Sequence, residues 1–567
     1  MKRLIFILFY TIISCLLAYF VFYPIYTSDE IIINYGVHPF NISKDSPQLW
    51  YYIKLIFIIT FIFSNIIISN IFFRNIINLK IIYLKKSKKK NNNYKFNTKN
   101  ISNLNLKIGI NPNNNSLIQI PESGLYQNFL ITGTIGTGKT SSAMYPFTSQ
   151  FIEFNFLNPQ NKIPMLILDV KGNYYKYVKE TIKKYNLLDD LIVIELKSNI
   201  FYNPLHKPNL KAQILANRLK TVLTLFSENN SESYWLDKAE QILTECIKLC
   251  RLYNDNYVTF LEIHKLITIE NYYKEKIEYL RNLFISNKLT YEQIYELNTS
   301  LDFFQKEFHA LDQRTKSILV SEITRITGTF ISDFDVTRTF CPPKEKLNFL
   351  GFSNSFKKGK IVVLNMNISE YSLLSKIIAT YLKLDFQSEI IGSLSKDKIK
   401  TSVFICDEYD KYCTKTDSEF FSMSREAKCI NIVSTQSYSS LKNTLKDESE
   451  VKVLIQNLIN KIWFRTDDTF TMEEAQKLLG KEEKERTSRT ISENAKETNY
   501  SYLTNTLNSI NSNISESYNT YSQNDFIFDT NYFSRELETF TALTFLSDGY
   551  KILPPTKLNF IPYFKKG

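Results

Sequence analysis

The sequence predicts an α/β protein with a mostly parallel sheet buried on both faces, an all-helical segment set into it, and two apolar helices ahead of it. Three observations carry that prediction. Short continuous Ile/Val/Leu/Phe runs recur along the chain, a glycine-rich turn follows one of them, and a long central stretch has helical rather than alternating periodicity. The chain has 567 residues at 44% hydrophobic content, enough for one large core with an appended segment.

The first elements are the apolar runs. Leu4 to Tyr23 is interrupted only by Thr11, Ser14 and Cys15, and Leu55 to Phe73 is a second such run, broken by Asn65 and Asn70. Runs of about 20 residues match the ~30 Å of a bilayer's hydrocarbon core, so residues 1–75 are expected to form a transmembrane hairpin with helices near 4–23 and 53–73. Lys2 and Arg3 precede the first run, and Arg74, Lys80, Lys85, Lys86 and Lys88 to Lys90 follow the second. This positive flanking charge places both ends, and hence the bulk of the chain, on the cytoplasmic side of an inner or cytoplasmic membrane. Ile12-Ile13-Ser14-Cys15 also resembles a lipoprotein cleavage site, which leaves retention of the first span open. Residues 76–105 read as a basic, flexible linker held near anionic lipid.

The nucleotide site comes next. Phe129 to Thr132 reads as a buried strand that runs straight into Gly133-Thr134-Ile135-Gly136-Thr137-Gly138-Lys139-Thr140, a G-x4-G-K-T turn followed by Ser141 and a helical stretch. Backbone N–H groups must wrap phosphate here, and side chains would obstruct them; Lys139 is placed to reach the β/γ-phosphates and Thr140 to ligate Mg²⁺. Glycine numbers only 14 in the whole chain, so its concentration in this turn is informative. A second acidic element is required at the end of a neighbouring buried strand. Val403-Phe404-Ile405-Cys406-Asp407-Glu408 supplies it, with Asp407 expected to hold the Mg²⁺ shell and Glu408 to polarise the attacking water.

Further strands are expected at 165–170, 191–196, 361–366, 430–435, 461–465 and 542–546, giving a doubly wound nucleotide-binding core of the RecA-like, additional-strand P-loop kind. Residues 106–209 form its first part and 341–567 its second. Residue 436 closes the strand expected between the two motifs, which makes Gln436 the candidate γ-phosphate sensor. Leu210 to Phe340 is the expected all-α insert, where Arg314, Lys316 and Arg325 are possible phosphate contacts. Residues 481–524 are Ser/Asn/Thr/Glu-rich and are expected to be a flexible insertion.

The excess of 69 Lys and Arg over 57 Asp and Glu suits a nucleic-acid or anionic-lipid partner but does not discriminate between them. The seven cysteines form no CxxC pair, which argues against a disulfide framework or a zinc site; Cys246 and Cys250, one helical turn apart, read as core.

Several segments in order resemble the coupling-protein ATPases of type IV secretion and conjugation, the TraD/TraG class. They are Asp169-Val170-Lys171-Gly172, Asn203-Pro204-Leu205, Asp407-Glu408-Tyr409, Ser424-Arg425-Glu426, Ser434-Thr435-Gln436, Lys461 to Arg465 and Leu546-Ser547-Asp548-Gly549, behind the two apolar runs. The resemblance implies a ring, a homo-hexamer, with ATP and Mg²⁺ bound between subunits. It also implies that Arg425 acts as a finger into the neighbour's site. The implied cargo is DNA, single-stranded with an attached relaxase, delivered to secretion-channel proteins. An FtsK-like translocase and a receptor for protein effectors that uses ATP as a switch are the alternatives. No LSGGQ-like signature of an ABC exporter is present.

Overall fold

The computed structural model describes residues 104–169, 171–225, 233–366, 368–395, 399–494, 499–501, 506–508 and 513–565, with positions 48, 52, 55, 56, 59 and 60. The two expected membrane spans lie outside the described residues except for the helical positions 55, 56, 59 and 60. Among the described residues no helix is long and apolar enough to cross a membrane. The expected basic linker at 76–105 also lies outside them, apart from residues 104 and 105.

The strands are β1 (Asn105–Ile110), β2 (Leu117–Pro121), β3 (Phe129–Thr132), β4 (Met165–Leu168), β5 (Leu191–Ile194), β6 (Ile361–Leu364), β7 (Ser402–Cys406), β8 (Cys429–Thr435), β9 (Asn460–Phe464), β10 (Lys481–Asn494), β11 (Asn499–Ser501), β12 (Thr506–Asn508), β13 (Asn513–Phe526), β14 (Thr541–Phe545) and β15 (Thr556–Asn559). Eleven of them form one sheet in the order β2-β1-β15-β14-β9-β3-β8-β7-β4-β6-β5. From β9 to β5 all neighbours are parallel. From β9 to β2 they are antiparallel. β8 therefore lies between the strand that enters the glycine-rich turn and the strand that ends in the acidic pair, the additional-strand arrangement.

The continuous apolar runs are explained by the strand period of two. Phe129, Ile131, Met165, Ile167, Val403, Ile405, Ile430 and Ile432 face one hydrophobic cluster. Leu130, Leu166, Leu168, Phe404, Cys406, Cys429 and Val433 face the other. The second cluster is shared with helices between β5 and β6: Ala212–Thr224, Ser233–Tyr253, Phe260–Thr268, Glu270–Ile285, Tyr291–Asp302, Gln313–Thr327 and Phe334–Phe340. Cys246 and Cys250 are buried in it. The helical stretch is thus a long crossover from the edge strand β5 to its neighbour β6, and its core is continuous with one sheet face. A buried carboxylate ties them: Asp385 on helix Ile368–Gly392 accepts from Lys207 at 2.7 Å and from Arg218 at 3.0 Å.

Over the expected flexible insertion at 481–524, β10 and β13 pair antiparallel from Lys481↔Phe526 to Asn494↔Asn513. A two-stranded ribbon exposes both faces, so a polar composition that cannot build a core can still satisfy its backbone by cross-strand hydrogen bonds. Cross-strand ion pairs, Arg486 with Asp525 and Arg489 with Glu516, brace it.

Candidate active site

The site sits at the carboxyl ends of β3, β7, β8 and β4, where open α/β sheets bind ligands. β3 delivers the glycine-rich turn, and its neighbours fix the start of that turn. Gly133 N–H donates to Gln436 O at 3.3 Å and Thr134 N–H to Arg465 O at 2.9 Å. The turn leads into a wide first turn at Lys139–Met144 and then helix Tyr145–Leu157. Pro146, which has no N–H to donate, falls where the hydrogen-bond register would otherwise tighten, and the wider spacing accommodates it.

Gly138 has φ 100°, and a Cβ there would come within 2.4 Å of the Phe540 ring. Phe540 N–H in turn donates to Thr137 O at 3.0 Å. The turn is therefore closed from outside by the loop before β14. Lys139 points back across it, donating to Gly133 O and, at 3.0 Å, to Thr134 O. Burial pushes the Lys139 ammonium down to about 8; Asp407 opposes that shift and the nearby Lys171 adds to it.

Thr140 Oγ1 donates to Asp407 Oδ2 at 2.7 Å. The second Asp407 oxygen accepts from the Ser434 hydroxyl at the end of β8 and from Glu408 N–H at 3.1 Å. Adjacent ligands of an octahedral Mg²⁺ with ~2.1 Å bonds lie ~3 Å apart, so the Thr140–Asp407 pair fits that ion with little adjustment. Glu408 leaves the strand in the left-handed region, φ 50°. That turn sends its carboxylate to the neighbouring β4 loop, where Oε1 meets Lys171 Nζ at 2.6 Å.

The β4 loop is itself clamped by a buried carboxylate. Asp169 Oδ1 accepts from Lys171 N–H at 3.1 Å, and Oδ2 from Asn173 N–H at 3.0 Å and Tyr174 N–H at 3.1 Å. Burial raises the Asp169 carboxyl above its ordinary range, against the lowering effect of those backbone bonds.

A cavity of about 270 Å³ is lined by Thr134, Ile135, Gly136, Gly138, Lys139, Thr140, Ser141, Lys171, Asp407, Glu408, Ser434, Thr435, Gln436 and Phe540. It gathers the expected site residues with three exceptions. Gly133 and Thr137 support the turn from beneath, Thr137 being buried with its hydroxyl on Thr134 O at 2.8 Å. Arg425 is exposed at the C-terminal end of helix Asp417–Ser424, just before β8 begins. It is thus a strand's length, about 20 Å, from the cavity at the other end of β8.

Sequence reasoning did not single out Lys171, Ser434, Phe540 or Asn128 for roles at this site. Lys171 and Ser434 lay inside quoted motifs. Asn128 and Phe540 carry no local signal, because tertiary approach alone gives them their positions. Asn128 (φ 55°) precedes β3 and is buried. Its amide donates to Phe421 O and Asn457 O, and its oxygen accepts from Ser424 and Asn431. It links the root of the P-loop strand to the helix that carries Arg425.

Fold and site together define a P-loop α/β protein that resembles the TraD/TraG class of coupling proteins. Residues 401–523 match the family described as the TraM recognition site of TraD and TraG. No curated protein matches the chain in sequence. Among solved structures, the bacterial conjugative coupling protein TrwBdeltaN70 in its unbound monoclinic form superposes with a TM-score of 0.51 at 14% identity, over 78% of this chain and 87% of that one. The plasmid coupling protein TrwB in complex with the non-hydrolysable GTP analogue GDPNP gives 0.51 at 12%, over 82% and 96%. TrwB in complex with ADP and Mg²⁺ gives 0.50 at 13%, over 78% and 87%. At these identities the likeness is one of fold.

Proposed function

We propose that the chain is a membrane-anchored ATPase that couples ATP hydrolysis to delivering DNA, with an attached relaxase, to a conjugation or secretion channel. The observation that carries the reading is the 2.7 Å contact between Thr140 and Asp407, which joins the phosphate turn to the acidic strand across β8. Bound Mg²⁺, held by Thr140 and Asp407, would neutralise phosphate charge. Lys139 turns from the carbonyls of Gly133 and Thr134 to the β/γ-phosphates, and Gln436 lies where it can read the γ-phosphate. Glu408 accepts the proton of a water that attacks the γ-phosphorus as the bond to the bridging oxygen breaks.

In this reading the subunits form a hexameric ring. Arg425 lies about 20 Å from its own cavity, so it serves as a finger only by entering a neighbour's site. The family matched over 401–523 takes its description from TraM recognition in TraD and TraG, which supports a DNA-processing partner. The bound nucleotides of the TrwB structures support ATP and Mg²⁺ here. The apolar runs at 4–23 and 53–73 supply the anchor.

The test is Lys139→Ala in the full-length chain. ATP hydrolysis and DNA transfer should both be lost while the protein still fractionates with membranes; transfer retained by this variant would refute the role given to the turn.

A further inference from the structure

On the footing of the ATPase reading, we propose that Lys171 is a positioning residue that restrains Glu408: their ion pair holds the water-activating carboxylate against the β4 loop, and hydrolysis requires the pair to part.

Four features support it. Lys171 Nζ lies 2.6 Å from Glu408 Oε1, so the ammonium draws on the negative charge that must attract a water proton. The backbone of the lysine is fixed by Asp169, which accepts from the N–H groups of Lys171, Asn173 and Tyr174. The lysine meets a glutamate whose own backbone is in the left-handed region, unfavourable for a residue with a Cβ and typical of functional positions. The two partners are unequally exposed, the Lys171 side chain at 58% and Glu408 at 14%. The exposed lysine can swing into solvent or onto another anion at little cost, while the glutamate stays in the cavity.

Burial works against charge on Lys171, but its hydrogen bond to Glu408 and the charges of Glu408, Asp407 and Asp169 outweigh it and hold the ammonium above the ordinary lysine value. A lysine this exposed contributes little to folding, so its replacement tests the pair without unfolding the site.

The experiment uses the full-length chain in detergent, comparing wild type, Lys171→Met, Lys171→Arg, Glu408→Gln and the double variant Lys171→Met/Glu408→Gln. Turnover is measured without DNA, together with the Kd of a non-hydrolysable ATP analogue. Lys171→Met should raise kcat by up to about fivefold, leaving KM and analogue Kd within about twofold, because a pair whose lysine is largely exposed holds only a modest closed-state preference. Lys171→Arg should restore the wild-type rate. The double variant should be as inactive as Glu408→Gln alone, which would place the gain at Glu408. Unchanged or lower turnover in Lys171→Met overturns the restraint, and weakened analogue binding does so too by making Lys171 a phosphate ligand. Wild type no faster than Glu408→Gln would bring down the ATPase reading itself, and the restraint with it.

Discussion

Gly138 is constrained twice, by a backbone φ of 100° and by the Phe540 ring against the position a side chain would take. Gly138→Ala should therefore weaken nucleotide affinity at least about tenfold, by strain in the turn itself. Equilibrium binding of a fluorescent ATP analogue measures it, with circular dichroism to establish that the fold survives. Asn128 makes a prediction of a different kind. Its side-chain amide joins Phe421, Ser424, Asn431 and Asn457 to the root of β3. Removing it strands several buried polar groups, so Asn128→Ala should cost about 3 kcal/mol by urea denaturation. A loss below ~1 kcal/mol would mean that those groups find other partners. The motif residues were legible because phosphate and Mg²⁺ chemistry demands particular residue types at fixed spacing. Asn128 and Phe540 were not, since nothing in their neighbours along the chain announces contacts made across more than 290 and 400 residues.

Lys461 shows how an element can carry a cost that its pattern hides. It lies on β9 among Asn460, Ile462, Trp463 and Phe464, all buried, with Nζ donating to Leu458 O at 2.8 Å. Burial pushes its ammonium from 10.5 down to about 8. Below pH 8 the group is charged in both folded and unfolded chains, and the burial penalty is present in full. Between about pH 8 and 10.5 the unfolded chain keeps a proton that the folded chain has released, so this group's penalty shrinks as pH rises. Lys461→Met should accordingly stabilise the protein by about 1–3 kcal/mol at pH 7. That gain should fade towards pH 10.5, as followed by denaturant titration at several pH values.

The ribbon makes the opposite case. Its described side chains between Glu482 and Gln523 are largely exposed. Joining Glu483 to Asn524 by an Asn-Gly turn should move the melting temperature by no more than about 2 °C. The parallel strands were legible because burial on both faces leaves a continuous apolar signature. β1, β2 and β15 were missed because they are partly exposed and so lack a continuous apolar run; in β1, for example, Leu106 and Ile108 are buried while Asn105 and Lys107 are exposed. The ribbon was missed because cross-strand backbone bonding needs no apolar signal.

At the scale of the whole molecule, one sheet does two things. Its carboxyl edge gathers the turn, the acidic pair and Gln436 around one cavity, and one of its faces shares a core with the helices between β5 and β6. The segment 409–416 joins Asp407 and Glu408 to the helix Asp417–Ser424, after which Arg425 follows. Asp417, at the start of that helix, forms a fully buried pair with Lys383 of helix Ile368–Gly392 at 2.5 Å, and Tyr409 also donates to it. The order of the parallel strands β3 to β9 along the chain was legible, including the strand between the two motifs. The packing of the helical stretch onto one face was not, because a helix period shows which side is apolar and not what covers it. The central claim is that residues 133–140 and the pair Asp407–Glu408 make a single Mg²⁺-dependent hydrolysis site. Its most direct measurement is steady-state ATP turnover of the full-length chain, wild type against Glu408→Gln, with and without Mg²⁺ and single-stranded DNA. Wild type should show Mg²⁺-dependent turnover and the variant a loss of at least about a hundredfold, with analogue binding retained. Equal rates in the two proteins, or turnover indifferent to Mg²⁺, would contradict it.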